Sequence, residues 1–286
     1  MHVVMVASAI SLSCGISSAT AATLTASDGQ PSDFFGVSIA QLQDTIFVGS
    51  SSDDVAGLPN AGSVYVFERV GGVYSQTQRL NASDIQQNAN FGIAISAGSG
   101  LLVVGAPNAS PGGMNLAGSA YVFERVDGLW REAARLQPNA GDLAAGDRLG
   151  SAVSISGGTI YVGAPGDRVG ANDFQGSVYV FGNSGLSWQR EARVSSLDGM
   201  PNEYFGVGVV GLDANAFIAG SPGMALGSLG SVGRVSLYGR AGGVWSRQAT
   251  ITPSGPAANM FFGNPLAAEG GSLVVSASNS PFRGTV

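Results

Sequence analysis

Five Phe-Gly-like pairs at nearly constant spacing constrain this chain more than any other feature. They are Phe35-Gly36, Phe91-Gly92, Leu149-Gly150, Phe205-Gly206 and Phe262-Gly263, separated by 56, 58, 56 and 57 residues. A fixed period of this length marks one supersecondary unit that recurs and buries its apolar surface on its neighbours. Further landmarks follow each pair in the same order. Val48-Gly49-Ser50 recurs as Val104-Gly105-Ala106-Pro107, Val162-Gly163-Ala164-Pro165, Ala219-Gly220-Ser221-Pro222 and the weaker Val275-Ser276-Ala277. Gly62-Ser63-Val64-Tyr65-Val66-Phe67 recurs from Gly118, Gly176 and Gly233. A last run, Tyr74 to Leu80, recurs from Trp130, Trp188 and Trp245.

Each unit therefore holds four short runs with the two-residue alternation of half-buried strands, in the first repeat near 35–40, 44–49, 62–67 and 73–80. No segment carries the 3.6-residue period of an amphipathic helix. Composition agrees: glycine fills 44 of 286 positions, about twice the usual share of roughly 7%, and glycine weakens helix interiors. Four antiparallel strands per unit predict an all-β chain built as a β-propeller of about five blades. In such a ring the Phe of each pair fills the wedge between blades, and Gly-Ala-Pro stops a strand.

The pattern resembles the FG-GAP repeat of integrin-like β-propellers, of the bacterial secreted or surface type, over residues 22–286. That resemblance implies calcium loops between the first and second strands of each blade. Here those links read Gln41-Leu42-Gln43-Asp44, Ala97-Gly98-Ser99-Gly100, Ser156-Gly157-Gly158 and Gly211-Leu212-Asp213-Ala214-Asn215. One carboxylate or none per loop falls short of the six to eight oxygen ligands calcium takes. No metal and no cofactor are expected.

Residues 1–21 form an apolar segment that reads as a signal peptide ending at Ala19-Thr20-Ala21, or as a terminal strand. Membrane association would arise only if it served as an anchor. Residues 22–27 resemble an outer strand, which makes them a candidate to close the ring beside residues 284–286 or 272–277. The expected location is extracellular, at the cell surface or in the periplasm.

Charge and titratable content narrow the function. The 13 basic residues are all arginine and the net charge is -6, so nucleic acid is not an expected partner. A single cysteine, Cys14, and a single histidine, His2, leave no disulfide, thiolate cluster or histidine-centred catalyst in the repeats. The long loops should all open on one face. They carry Asp28, Asp33, Asp53, Asp54, Asp84, Asp142, Asp147, Asp167, Asp173, Asp198 and Glu203 against Arg148, Arg168 and Arg283, which predicts a negative face.

Binding residues favour loops on a rigid scaffold. The expectation is thus a noncatalytic binding or adhesion module, not an enzyme, with no catalytic residues. It would recognise a protein or glycan through Asp53, Asp54, Asp142, Asp147, Asp167, Asp173, Asp198 and Glu203. The alternatives are a structural repeat piece of a larger cell-envelope protein and a carboxylate-based enzyme acting on glycosides.

Overall fold

Alternation of polar and apolar residues, interrupted by glycine turns, gives, among the described residues, twenty strands and a single three-residue turn of 3-10 helix at Pro111–Gly113. The computed structural model describes residues 4–7, 21–139, 141–185 and 187–278. Two strands, β1 (Val4–Ala7) and β2 (Ala21–Leu24), precede the first blade. That blade is β3 (Phe35–Leu42), β4 (Thr45–Ser50), β5 (Ser63–Val70) and β6 (Val73–Leu80), hydrogen-bonded in sequence order. The second comprises β7 (Ala94–Gly98), β8 (Leu101–Ala106), β9 (Ser119–Val126) and β10 (Leu129–Leu136). The third comprises β11 (Ala152–Ser156), β12 (Thr159–Ala164), β13 (Ser177–Asn183) and β14 (Trp188–Val194). In the fourth are β15 (Val209–Asp213), β16 (Ala216–Ser221), β17 (Arg234–Ala241) and β18 (Val244–Ile251). The fifth unit shows β19 (Phe262–Glu269) and β20 (Ser272–Ala277). Every pairing within a blade is antiparallel, as four-stranded up-and-down blades require.

The second strand of each of the first four blades sits nearest full burial, with all six residues of β4 and of β12 buried. Its glycine is dictated by the neighbouring blade. A Cβ on Gly49 would collide with the carbonyl oxygen of Gly92, and Gly105, Gly163 and Gly220 meet Gly150, Gly206 and Gly263 in the same way. Gly92 itself lies at φ 89°, a conformation open to glycine and strained for a side chain. The strands end at Ala106, Ala164 and Ser221, one residue before the prolines that cannot donate to the ladder.

Blades are latched by a repeated hydrogen bond. The amides of Phe91, Leu149, Phe205 and Phe262 donate to the carbonyls of Ala61, Ala117, Gln175 and Val232 in the preceding blade, at 2.8–3.0 Å. The side chains then fill the wedges: Phe91, Leu149 and Phe205 are 1%, 0% and 0% exposed. Phe91 meets Tyr121 and Phe123 edge-on, in one apolar cluster with Phe47 and Val66 of the first blade. Phe262 departs from the expected burial. It is only half-buried, in a unit that shows two strands among the described residues.

Ring closure also differs from expectation. Strand β2 pairs with β1, in register Val4 with Leu24, and β20 pairs only with β19 among the described residues. The proposed pairing of residues 22–27 beside 272–277 is therefore corrected, while residues 284–286 lie outside the described residues. Leu24 is instead buried against Phe35, Val48, Tyr65 and Phe67, covering the first blade's open face. No helix among the described residues is long and apolar enough to cross a membrane.

Candidate functional site

The first three blades each present a tyrosine, an arginine and an aspartate at the long-loop end. The tyrosine comes from the third strand and the arginine from the outer strand. Register places Tyr65 opposite Arg79, Tyr121 opposite Arg135 and Tyr179 opposite Arg193, while the fourth blade has Ser236 opposite Thr250 at that place. The aspartate enters from the loop that precedes the blade: Asp28, Asp84, Asp142 and Asp198. The Tyr65 hydroxyl lies 2.8 Å from Asp28 and 3.0 Å from Asp53, so its one proton is shared between two acceptors, and the Tyr121 hydroxyl donates to Asp84 at 2.7 Å. Burial, with these carboxylates beside it, pushes each of the two phenols above the ordinary tyrosine value.

In the first blade this arrangement opens into a cavity of about 380 Å³ lined by Asp28, Asp33, Asp53, Asp54, Asn60 and Arg79, among others. Arg79 pairs with Asp53 at 2.6 Å and with Asp28 at 2.7 Å, while its guanidinium stands 5.9 Å from the Tyr65 ring centre. Asp53 is thereby buried and fixed. Asp54 is exposed at the mouth and accepts from the Asn60 amide at 2.9 Å. Asp33 is 7% exposed and accepts from the Gln30 amide at 2.5 Å. Burial raises its carboxyl above the ordinary aspartate value; the Gln30 bond opposes this, and the charges of Asp53, Asp54 and Asp28 add to the rise. The four carboxylates of this cavity thus differ in burial and in partners, Asp28 and Asp53 held by Arg79, Asp54 open to solvent and Asp33 buried.

The remaining sequence-selected acids fall in two other blades. Asp167 is gripped by Arg193 through two hydrogen bonds, and Asp142 stands 3.0 Å from Arg190 in an ion pair. Asp173 pairs with Arg168 at the surface. Asp147 is buried, accepts from the Ala144 amide at 2.6 Å, and has its carboxyl pushed up to about 6, chiefly by burial. In the fourth blade Arg234 reaches both Asp198 and Glu203, and Arg247 also reaches Asp198. Hydrogen bonds from Arg234 hold the Asp198 carboxyl below the ordinary range despite desolvation.

The expected negative face is partly neutralised by these contacts. Arg79, Arg135, Arg190, Arg193, Arg234 and Arg247 belong to strands by sequence, yet their side chains reach the loop acids. Two signals could have disclosed this. Asp28, Asp84, Asp142 and Asp198 repeat at intervals of 56, 58 and 56, and Arg79, Arg135 and Arg193 at 56 and 58, the period of the fold itself.

The calcium implied by the resemblance does not fit the links between first and second strands. They are tight turns at Gln43-Asp44, Ser99-Gly100, Gly157-Gly158 and Ala214-Asn215, too short in carboxylates to surround an ion. Among the described residues no three His, Cys, Asp or Glu side chains converge as a metal-holding group.

Repeated four-stranded antiparallel sheets, latched through Phe-Gly contacts and edged by long loops, define the class as a propeller of four-stranded blades. The chain belongs to the FG-GAP repeat family, which matches residues 19–67, 74–123, 130–181 and 245–285. Comparison with curated proteins finds no significant match. Among solved structures it is similar to the periplasmic gluconolactonase of Pseudomonas aeruginosa, with a TM-score of 0.55 and 14% identity. That likeness covers 83% of this chain and 64% of the gluconolactonase chain, so this chain spans under two thirds of its relative. At 14% identity the fold alone is shared. The expectation of a noncatalytic module that is not an enzyme is nevertheless corrected, because a propeller of this shape carries catalysis.

Proposed function

We propose that the chain is the propeller part of a hydrolase acting on a sugar-derived substrate, either a glycoside or a lactone, in the first-blade cavity. The observation that carries this reading is the set Asp28, Asp33, Asp53 and Asp54 around Arg79 in a space of about 380 Å³. The gluconolactonase, itself named for a sugar lactone, lends the fold precedent. The apolar first 21 residues and the secreted relatives that the sequence resembles favour an exported compartment.

In this mechanism Asp33 is the acid. Buried beside Asp28, Asp53 and Asp54, it gives a proton to the ring or leaving oxygen as the bond from carbon to that oxygen breaks. Asp54, facing solvent, takes the proton from a water whose oxygen bonds to the same carbon. The net change is addition of one water across the bond. Asp53 and Arg79 hold each other and orient hydroxyls. The test is hydrolysis of a panel of aryl glycosides and sugar lactones, with the spontaneous rate subtracted. Wild type is expected to hydrolyse at least one, with Asp33→Asn and Asp54→Asn each reduced by about 100-fold, the scale of a positioned acid or base. A folded wild-type protein inert on the whole panel, or an Asp33→Asn variant of full activity, would overturn the assignment.

A further inference from the structure

Side chains staple the outer strands together where the first blade meets the second. Gln78 of β6 donates through its amide nitrogen to the Trp130 carbonyl at 3.2 Å and accepts from the Trp130 amide at 2.7 Å. Glu132 accepts from the amide and the hydroxyl of Ser83, each at 2.8 Å. Trp130 is closed in by these bonds and is 4% exposed.

The stapling side chains are all replaced where the third blade meets the fourth. Register puts Ala192 at the place of Gln78, Trp245 at that of Trp130 and Arg247 at that of Glu132. Leu197 stands for Ser83, each eight residues ahead of its wedge phenylalanine, Phe205 or Phe91. Ala192 is too short to reach across, the Leu197 side chain has nothing polar, and Arg247 turns to Asp198. Neither staple can form. The two outer strands enclose instead a cavity of about 430 Å³, whose lining includes Ala192, Leu197, Tyr238, Val244, Trp245 and Arg247.

A second difference falls on the same wall. Tyr238 holds the third-strand place of Phe67, Phe123 and Phe181, where a hydrocarbon ring suffices. Its ring stacks on Phe217 at 5.2 Å and meets Phe205 edge-on, as a phenylalanine would. The added hydroxyl is buried and has no hydrogen-bond partner among the described residues. A buried hydroxyl left unpaired costs stability. Leu197 and Val244 are 85% and 68% exposed, so the rim of this cavity is apolar.

We propose that this cavity binds a small apolar molecule bearing a primary carboxamide, which takes the place that the Gln78 side chain fills between the first two blades. A primary amide carries an N–H and a carbonyl oxygen on one edge, as Gln78 does. Its N–H donates to the Trp245 carbonyl, and its oxygen accepts from the Trp245 amide and, through the second lone pair, from the Tyr238 hydroxyl. Leu197 and Val244 cover the apolar part. The site lies away from the first-blade cavity and stands independently of the hydrolytic reading.

Benzamide is the probe. Acetophenone is its counterpart, matched in size and more apolar, with a methyl group where the amide has its nitrogen. Each is titrated into isotope-labelled full-length protein while backbone amide shifts are followed. Saturable shifts are expected at Ala192, Leu197 and Trp245, with acetophenone about tenfold weaker or more, the scale of a hydrogen bond to a group otherwise left unpaired. Ala192→Gln restores the staple and is expected to abolish benzamide binding. Tyr238→Phe, which brings in the residue type of the other three blades, is expected to weaken it several-fold and carries the test if Ala192→Gln fails to fold. Acetophenone binding as tightly as benzamide would overturn the proposal. So would a folded wild type without saturable shifts, undiminished binding in folded Ala192→Gln, an affinity unchanged by Tyr238→Phe, or shifts centred on other blades.

Discussion

Asp147 shows how the repeat uses a carboxyl in a buried place. Its pKa lies near 6 in the folded protein against 3.8 for a free side chain. An acid with a raised pKa holds more protons folded than unfolded between those values, so stability falls as pH rises from about 4 to about 6 and then levels. Asn keeps an oxygen for the Ala144 amide and has nothing to ionise. Asp147→Asn is therefore expected to match wild type near pH 4 and to exceed it by roughly 2 kcal/mol at pH 7, read from denaturant unfolding at the two pH values. A constant difference across that range would contradict burial as the cause of the shift.

At this scale the sequence was only partly legible. The loop acids were visible by type, as was the lack of any histidine beyond His2. What could not be read was which strand arginine reaches which acid, since that depends on one end of a twisted strand meeting a loop far away in sequence. Asp28 and Arg79 are 51 residues apart and meet at 2.7 Å. The repeat period marks both, but only register brings them together.

The elements were far more legible, because strand alternation, glycine turns and Pro stops are local. The four-strand blade emerges in the observed order, and boundaries move by three residues at most in the first repeat: β3 runs to Leu42 and β5 to Val70. The wedge residues allow a quantitative contrast. Phe91→Ala should cost about 3–5 kcal/mol, as for a fully packed aromatic, whereas Phe262→Ala, half-buried beside a two-stranded unit, should cost clearly less. Equilibrium urea unfolding of both variants makes the comparison, and equal losses would refute the difference in packing. Gly105→Ala would drive a methyl group into the Gly150 carbonyl of the next blade. It is expected to destabilise by about 1–3 kcal/mol or more, although nothing in the second blade's own sheet requires the glycine. An unchanged midpoint would mean that the blades do not approach each other so closely.

At the scale of the whole molecule, the blade count was readable from the period but closure was not. Local landmarks say that a blade recurs; they do not say what covers the first and last ones. Here Leu24 of β2 packs on the first blade. Function was legible least of all, because the acids repeat with the fold and chemistry depends on which blade leaves them unequal. In the first blade Asp53 is locked by Arg79, Asp54 faces solvent, and Asp33 is buried among like charges. The pH dependence of kcat/KM on a responsive sugar lactone or glycoside, measured for wild type and Asp33→Asn, tests that inequality directly. The expected wild-type profile is a bell on the acid side of neutrality. Its alkaline limb would report an acid above the ordinary aspartate value of about 3.9, and it would be missing from the residual activity of Asp33→Asn. An alkaline limb that persists unchanged in the variant would show that another group gives the proton, and the first-blade site would be wrong.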